Sequence, residues 1–289
     1  MISVAVFAHN ESKNILRCLS SLEMNALDIS VYVLINGSTD NTEEIVHSLS
    51  KTRHWIKPVN IPMGDKSNAW NVFIHDTVQA SDAYIFLDGD CYIHPGSIEK
   101  LVDALNSSDN TLASAAFPGI GRSKELLSKM LNQSAIVGCL YALSKETVQI
   151  IWDRNIRLPI GCIGDDSVLD YLLATNFEGG YKDIARHKII PAPEALFYFD
   201  PMSPMRLDDY IKYYKRCIRY STRHFQCQML IPLLKKHGLS AMPDRIDALL
   251  SPEVLRKLKP RHGLDAIFDR IALSKLQHAL RNESITPAT

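Results

Sequence analysis

The chain has 289 residues, 46% hydrophobic and 22% charged, with a formal net charge of zero, the composition of an ordinary globular protein with room for one large α/β domain and a smaller appendage. Zero net charge argues against a dedicated nucleic-acid binder, and no apolar run approaches the ~20 residues needed to cross a bilayer. Six cysteines without a C-x-x-C pair, and a start that enters a strand directly at Met1-Ile2-Ser3-Val4, lead us to expect a reducing, cytoplasmic setting and no secretory leader.

Residues 2–8 read as a buried strand, His9-Asn10-Glu11-Ser12 as a loop and helix start, and Leu16, Leu19 and Leu22 as a helical repeat. A second unit follows, with a strand over 29–35, the turn Asn36-Gly37-Ser38-Thr39-Asp40 and a helix carrying Ile45, Val46 and Leu49. A short extended piece near 59–61 leads through Met63-Gly64-Asp65-Lys66 to a helix over 67–78 and a strand over 84–88. Alternating strands and helices predict a mostly parallel sheet with right-handed crossovers.

Beyond it we expect a helix over 95–105, a Gly/Pro-marked loop at 117–121, a further helix, an apolar stretch at 135–143, and the acidic loop Pro159-Ile160-Gly161-Cys162-Ile163-Gly164-Asp165-Asp166 feeding a helix. Residues 188–199 read as a last strand. From Leu207 the pattern is helical, with breaks expected near Pro232, Pro243, Pro252 and Pro260. The chain thus divides into an α/β unit over 1–205 and a helical extension over 206–289, which holds half of the Lys and Arg residues.

The richest stretch is 84–90, Tyr-Ile-Phe-Leu-Asp-Gly-Asp. A buried strand delivers Asp88 and Asp90 at its carboxyl end, and Gly89 between them allows backbone or ligand to approach closely. Hard carboxylate oxygens at that spacing suit Mn²⁺ or Mg²⁺ bridging a diphosphate. Alone, the tripeptide reads more readily as a strand cap or tight turn than as a metal site.

Its neighbours resolve the choice. Val4-Ala5-Val6-Phe7-Ala8-His9-Asn10-Glu11, Asn36-Gly37-Ser38-Thr39-Asp40-Asn41-Thr42, Gly64-Asp65-Lys66-Ser67-Asn68-Ala69-Trp70-Asn71 and Asp88-Gly89-Asp90 resemble, in order, the motifs of glycosyltransferase family 2, inverting nucleotide-sugar enzymes of GT-A fold. The resemblance spans about residues 2–220. It implies a GT-A, Rossmann-like catalytic domain over 1–205, with a nucleotide-sugar-binding half at about 1–115 and an acceptor-binding half at 116–205. It implies Ala8, Asn10, Glu11, Asn36 and Ser38 at the base and ribose, Lys66 at a phosphate, Asn71, Asp88 and Gly89 within the donor site, and a metal held by Asp90 with Asp88. His187 is its expected far-side partner, with a surface histidine as the simpler reading. Two departures stand out: Ile35-Asn36 where the family usually has two acids, and His9 where it has Tyr. The donor base is accordingly open.

Inversion needs a base for the acceptor hydroxyl. By resemblance to the family's E-D motif this is Asp166, with Asp165 as its acidic neighbour; without the upstream motifs the pair would read as a cap on a helix starting near Ser167. Trp70 is expected to be a core anchor.

In the extension, Lys212, Arg216, Arg219 and Arg223 recur on one side of a helix over 208–225, and Ile211, Tyr214, Ile218 and Phe225 on another. Arg216-Cys217-Ile218-Arg219-Tyr220 is loosely similar to the Q-x-x-R-W signature of processive members, but its missing Gln and Trp argue against a polysaccharide synthase. Arg216 and Arg219 are expected at the donor diphosphate. The face reads either as solvated or as a peripheral contact with anionic lipid or a lipid-linked acceptor; homodimerisation is a third use.

The expected function is metal-dependent, inverting transfer of one sugar from a nucleoside-diphosphate sugar to a hydroxyl of a saccharide or lipid-linked saccharide, with the acceptor chosen by the loop at 117–133. The rivals are a nucleotidyltransferase that makes a nucleotide-sugar, although His9-Asn10-Glu11-Ser12 is not its Gly-rich basic loop, and a degenerate domain that docks a membrane or partner.

Overall fold

The computed structural model describes residues 1–22, 28–120, 125, 133–200, 205 and 207–283. Its strands are β1 (Ile2–Ala8), β2 (Ile29–Asn36), β3 (Ile56–Ile61), β4 (Ala83–Asp88), β5 (Cys91–Ile93), β6 (Ala113–Pro118), β7 (Leu140–Ser144) and β8 (Ile189–Phe199). The helices used below are α1 (Ile15–Leu22), α2 (Thr42–Ser50), α3 (Lys66–Asn71), α4 (Ser97–Leu105), α5 (Lys145–Asp153), α6 (Asp165–Ala174), α7 (Leu207–His237), α8 (Pro252–Lys257) and α9 (Asp265–Glu283).

All eight strands form one sheet in the order β3-β2-β1-β4-β7-β6-β8-β5. The first four are parallel, and β1 is buried along its whole length, as expected for a strand covered on both faces. Pairing of Ala8 with Ile35 and of Phe7 with Asp88 brings the carboxyl ends of β1, β2 and β4 to one edge. That edge is where open α/β sheets bind ligands.

The second half departs from a parallel expectation. The apolar stretch at 135–143 yields β7, which runs antiparallel to β4 and β6, while β6 and β8 are parallel around a bulge at Ala116/Phe117. The helix expected after the 117–121 loop, and most of the 117–133 loop, lie outside the described residues. The helix expected over 67–78 begins as α3 and continues as a π-helical turn over Val72–Thr77.

Trp70 anchors the core: it is 1% exposed, stacks on Phe86 at 6.2 Å and donates its indole N–H to the Tyr141 hydroxyl at 3.2 Å, while Phe86 stacks on Tyr141 at 4.7 Å. Truncating such a buried aromatic costs about 3–5 kcal/mol. Helix α7 runs straight through Pro232, where a break was expected. Its flanks are pinned, with Leu230 and Leu234 in the main core and Phe225 and Met229 in a second, smaller core with Leu255, Leu258 and Ala272, so packing offsets the missing N–H.

Candidate active site

At the strand-end edge Lys66 opens α3 and reaches between two acidic clusters. Its ammonium lies 2.5 Å from Asp88 Oδ1 and 3.7 Å from Asp165 Oδ2, and donates to the Gly138 carbonyl at 3.2 Å. Burial by itself would lower the lysine's pKa, but the charges of Asp88 and Asp165 outweigh it and hold it well above the ordinary value. Asp88 is pushed up to about 6, by burial first and also by Asp90, against the pull of Lys66. Gly89 serves the scaffold: a Cβ there would stand 2.7 Å from the Phe7 carbonyl oxygen, so β1, not a ligand, needs its smallness.

Asp165 and Asp166 occupy the first turn of α6, whose N-cap is Gly164, so neither acid is the cap. Asp165 is 7% exposed, and burial and then Asp166 raise its pKa, with Lys66 opposing. Asp166 is fixed from three sides. Its Oδ1 accepts the Ser167 N–H at 2.8 Å and pairs with Arg223 Nη2 at 3.0 Å, and its Oδ2 accepts the Gly138 N–H at 3.3 Å. Arg223 also donates to the Ser167 hydroxyl.

The loop leading to these acids is tied down residue by residue. Asp65, the N-cap of α3, accepts the Asn68 N–H and, through Oδ2, the Gly161 N–H at 2.7 Å. Ser67 donates to the Cys162 carbonyl at 3.0 Å. Gln226 of α7 accepts the Ile163 N–H and donates to the Gly161 carbonyl, both at 2.8 Å. Ile160 exchanges backbone hydrogen bonds with Asp244 and Ile246 at 2.9 Å.

At the ends of β1 and β2 the two loops are laced together. Asn10, with φ of 58°, accepts the Thr39 N–H at 2.7 Å and the Asp40 N–H at 3.2 Å, and its own N–H donates to Ser38 Oγ at 3.1 Å. Ser38 donates to the Ala8 carbonyl at 3.4 Å, and Ala8 is itself buried. His9 Nδ1 meets the Asn36 carbonyl at 2.6 Å, so this histidine is a loop clamp. Glu11, accepting from Asn14, is pushed up to about 7, by burial first and then by Asp90 and Asp88, which marks a concentration of anionic oxygen at this edge.

Several expected ligand contacts are instead spent inside the protein. Asn36 is 4% exposed and its amide oxygen accepts the Asp65 N–H at 2.6 Å, so it holds the 63–65 loop and does not present an open edge to a base. Asn71, 5% exposed, pairs both ways with the Leu158 backbone at 2.8 Å. His187 is a correction: Ile189 aligns through Ala113 and Leu143 with Tyr84, which puts His187 at the edge where β4 begins, roughly 13 Å or more from Asp88 along strands rising ~3.3 Å per residue. Arg216 is exposed and lies against Tyr220, while Arg219 is exposed one turn from Arg223.

Arg223, Gln226, Asp65 and Gly138 are the site residues that motif matching missed. The Lys212–Arg223 stripe contains the first, and a glycine inside an apolar stretch signals the last; nothing local marks Gln226.

A divalent ion fits the donor set. Asp90 is exposed and Asp88 offers an oxygen beyond the one on Lys66, while burial first and the neighbouring acids second raise Glu11 and Asp88. Among the described residues no three His, Cys, Asp or Glu side chains are grouped to hold a metal ion, so an ion at Asp90 and Asp88 would need substrate phosphates or water to complete its shell.

The profile described as "Glycosyl transferase family 2" matches residues 3–163. Among curated proteins the chain is 30% identical over 115 residues to a chondroitin synthase of Pasteurella multocida, covering 39% of this chain and 12% of that one. It is 24% identical over 198 residues to 4,4'-diaponeurosporenoate glycosyltransferase of Staphylococcus haemolyticus, covering 65% and 48%. The chain thus spans about a tenth of the first relative and half of the second. Among solved structures it resembles mannosyltransferase PcManGT of Pyrobaculum calidifontis in complex with GDP-Man and Mn²⁺, with a TM-score of 0.58 at 14% identity over 98% of this chain and 79% of that one. Glucosyl-3-phosphoglycerate synthase of Mycobacterium tuberculosis, in complex with Mn²⁺, UDP-Glc and phosphoglyceric acid, gives a TM-score of 0.52 at 20% identity over 79% and 80%. No described helix is long and apolar enough to cross a membrane. By its motifs, its sheet and the profile that covers more than half of its length, the chain belongs to glycosyl transferase family 2 and carries the GT-A fold.

Proposed function

We propose that the protein is a metal-dependent inverting glycosyltransferase that moves one sugar from a nucleoside-diphosphate sugar to a hydroxyl of a saccharide or lipid-linked saccharide. The observation that carries this reading is Lys66, whose single ammonium reaches both Asp88 and Asp165. The carboxylates suited to a diphosphate-bound cation and those suited to proton removal therefore share one crevice. In the reaction the acceptor oxygen forms a bond to the anomeric carbon, the bond from that carbon to the phosphate oxygen breaks, and its electron pair leaves with the diphosphate. The hydroxyl proton goes to Asp166, which the Gly138 and Ser167 N–H groups and Arg223 aim. Lys66, kept cationic by its acidic neighbours, adds a point charge for a phosphate. Asp90, with Asp88, would hold Mn²⁺ or Mg²⁺, which supplies electrostatic stabilisation of the leaving diphosphate.

The GDP-Man and UDP-Glc held by the two structural neighbours support a nucleotide-sugar donor and leave the base open, so both belong in the test. We assign catalysis to residues 1–205 and bracing of the 159–166 loop to 206–289. The exposed Tyr210, Ile211, Tyr213 and Tyr214 beside Lys212 and Lys215 support a peripheral contact with an anionic membrane face. A second copy on the same turns would set like charge against like charge across a two-fold axis.

In a thermal-shift panel of UDP-, GDP- and dTDP-sugars with Mn²⁺, one donor raises the melting temperature by mass action. Asp90→Ala loses metal-dependent nucleotide binding. Asp166→Asn binds donor yet transfers at least about a thousandfold more slowly, as expected when the base and its alignment are lost. Normal transfer by Asp166→Asn would remove the base assignment.

A further inference from the structure

We infer that the acceptor carries a phosphate group close to the hydroxyl it offers, and that Arg219, with Arg216 beside it, receives that phosphate. The inference rests on the transferase reading above and names the acceptor's chemistry.

Helix α7 crosses the catalytic loop at Arg223: a Cβ on Gly164 would meet the Arg223 Cγ at 3.1 Å, and the guanidinium pairs with Asp166 at 3.0 Å. Arg219 stands four residues earlier, one helical turn away on the same side. Its charge, like that of Arg223, acts on Asp165, so the guanidinium is on the active-site side of α7. The two arginines differ in what they hold. Arg223 is committed to Asp166 and Ser167, whereas Arg219 is exposed and has no hydrogen bond or ion pair among the described residues. Arg216, a further turn out, bonds within its own helix, its Nε donating to the Tyr220 hydroxyl at 2.8 Å.

Residues 212–223 hold five Lys and Arg and no acid in a chain of zero net charge. Like charges spaced three and four apart repel on a bare helix, and an anion seated among them reverses that cost. Three of the five are arginines, whose planar fork matches phosphate in a way that a merely solvated lysine face does not need. The donor diphosphate already has Lys66 and the Asp88/Asp90 cation site at the end of β4. The arginine row starts instead at the base and leads away along α7, where a molecule presenting its hydroxyl to Asp166 has the rest of its body.

Phosphate of this kind belongs either to a free phosphorylated polyol or to a lipid headgroup, and the experiment separates them. The full chain, saturated with UDP and Mn²⁺ (or GDP, whichever stabilises it), is titrated calorimetrically with glycerol 3-phosphate, with glycerol, and with vesicles of phosphatidylglycerol or of phosphatidylcholine. Donor turnover is followed with the same probes. The expected result is binding of one net-anionic phosphate probe and not of its counterpart, uncharged glycerol or zwitterionic phosphatidylcholine, at least about tenfold faster donor turnover with it, and affinity that falls with salt. Arg219→Gln weakens that binding about tenfold with the melting temperature unchanged, and Arg219→Lys restores part of it. Glycerol 3-phosphate as the responding probe assigns a soluble phosphorylated acceptor, and a response to vesicles alone that Arg219→Gln weakens assigns a lipid headgroup, whereas a vesicle response that Arg219→Gln leaves unchanged belongs to the 210–215 face and overturns the inference. Indifference to phosphate, or an Arg219→Gln variant that loses nucleotide affinity while binding both phosphate probes normally, overturns the inference and leaves the transferase reading standing. Failure of every nucleotide sugar to bind wild type removes that reading, and the acceptor assignment with it.

Discussion

The two walls of the crevice are built differently. On the wall we assign to the donor, the ends of β1, β2 and β4 are fixed by sheet register, and their loops are laced by short-range turn chemistry among Asn10, Ser38, Thr39 and Asp40; the facing wall is the one we assign to the acceptor. On the acceptor wall, the loop carrying Asp165 and Asp166 owes its shape to side chains far away in sequence: Asp65, Ser67, Arg223 and Gln226. The donor wall is a property of the sheet. The acceptor wall is a joint between the sheet domain and the C-terminal helices, so damage to α7 should reach the chemistry without touching nucleotide binding.

Gln226→Leu gives the largest effect short of removing the base. It leaves the part-buried Ile163 N–H and Gly161 carbonyl without their partner, and each group so orphaned costs up to about 1 kcal/mol, the low end of the range for buried groups. We expect a lower melting temperature and a transfer rate reduced by about a hundredfold, since a displacement of ~1 Å at the reacting groups suffices for that. The affinity for UDP or GDP should stay within about twofold. If nucleotide affinity falls as steeply as the rate, the walls are not separate. Gly138→Ala is a milder probe. Its new Cβ would stand 3.2 Å from the Asp166 Cβ and 3.3 Å from the Lys66 ammonium, so both must give by a few tenths of an ångström. A rate loss of about tenfold in single-turnover transfer, with unchanged nucleotide binding, is expected.

The same contrast explains what the sequence made legible. Asp88, Lys66 and the Asp165-Asp166 pair are read from local pattern because each stands at the end of a strand or the start of a helix that the pattern defines. Arg223 and Gln226 act across 56 and 63 residues, and no periodicity announces such a contact. Asn36 and Asn71 illustrate the converse: an amide beside a motif looks the same whether it faces a nucleotide or a backbone, and here burial sends both to backbone. His187 was misplaced because its edge of the sheet depends on the order β7-β6-β8, which follows from strand pairing, and β7 itself comes from an apolar run whose period distinguishes neither strand nor helix.

Glu11 tests the donor wall by itself and is expected to give the smallest effect. Its carboxyl is raised to about 7 by burial and by Asp90 and Asp88. An acid whose folded-state value is raised costs nothing below its unfolded value, where both states are protonated. As pH climbs through the interval up to about 7, the unfolded chain ionises first and stability is lost; above it the penalty is constant. Glu11 is only partly buried, and solvent screening reduces the full linkage value to about 1–2 kcal/mol. Glu11→Gln keeps an acceptor for the Asn14 amide and should melt like wild type near about pH 4 but higher near about pH 8. Mn²⁺ with UDP should narrow that gap in wild type, because a cation beside Asp88 and Asp90 offsets the same repulsion. A variant that is equally stable at both pH values relative to wild type would mean that neither burial nor the neighbouring Asp90 and Asp88 penalises an ionised Glu11.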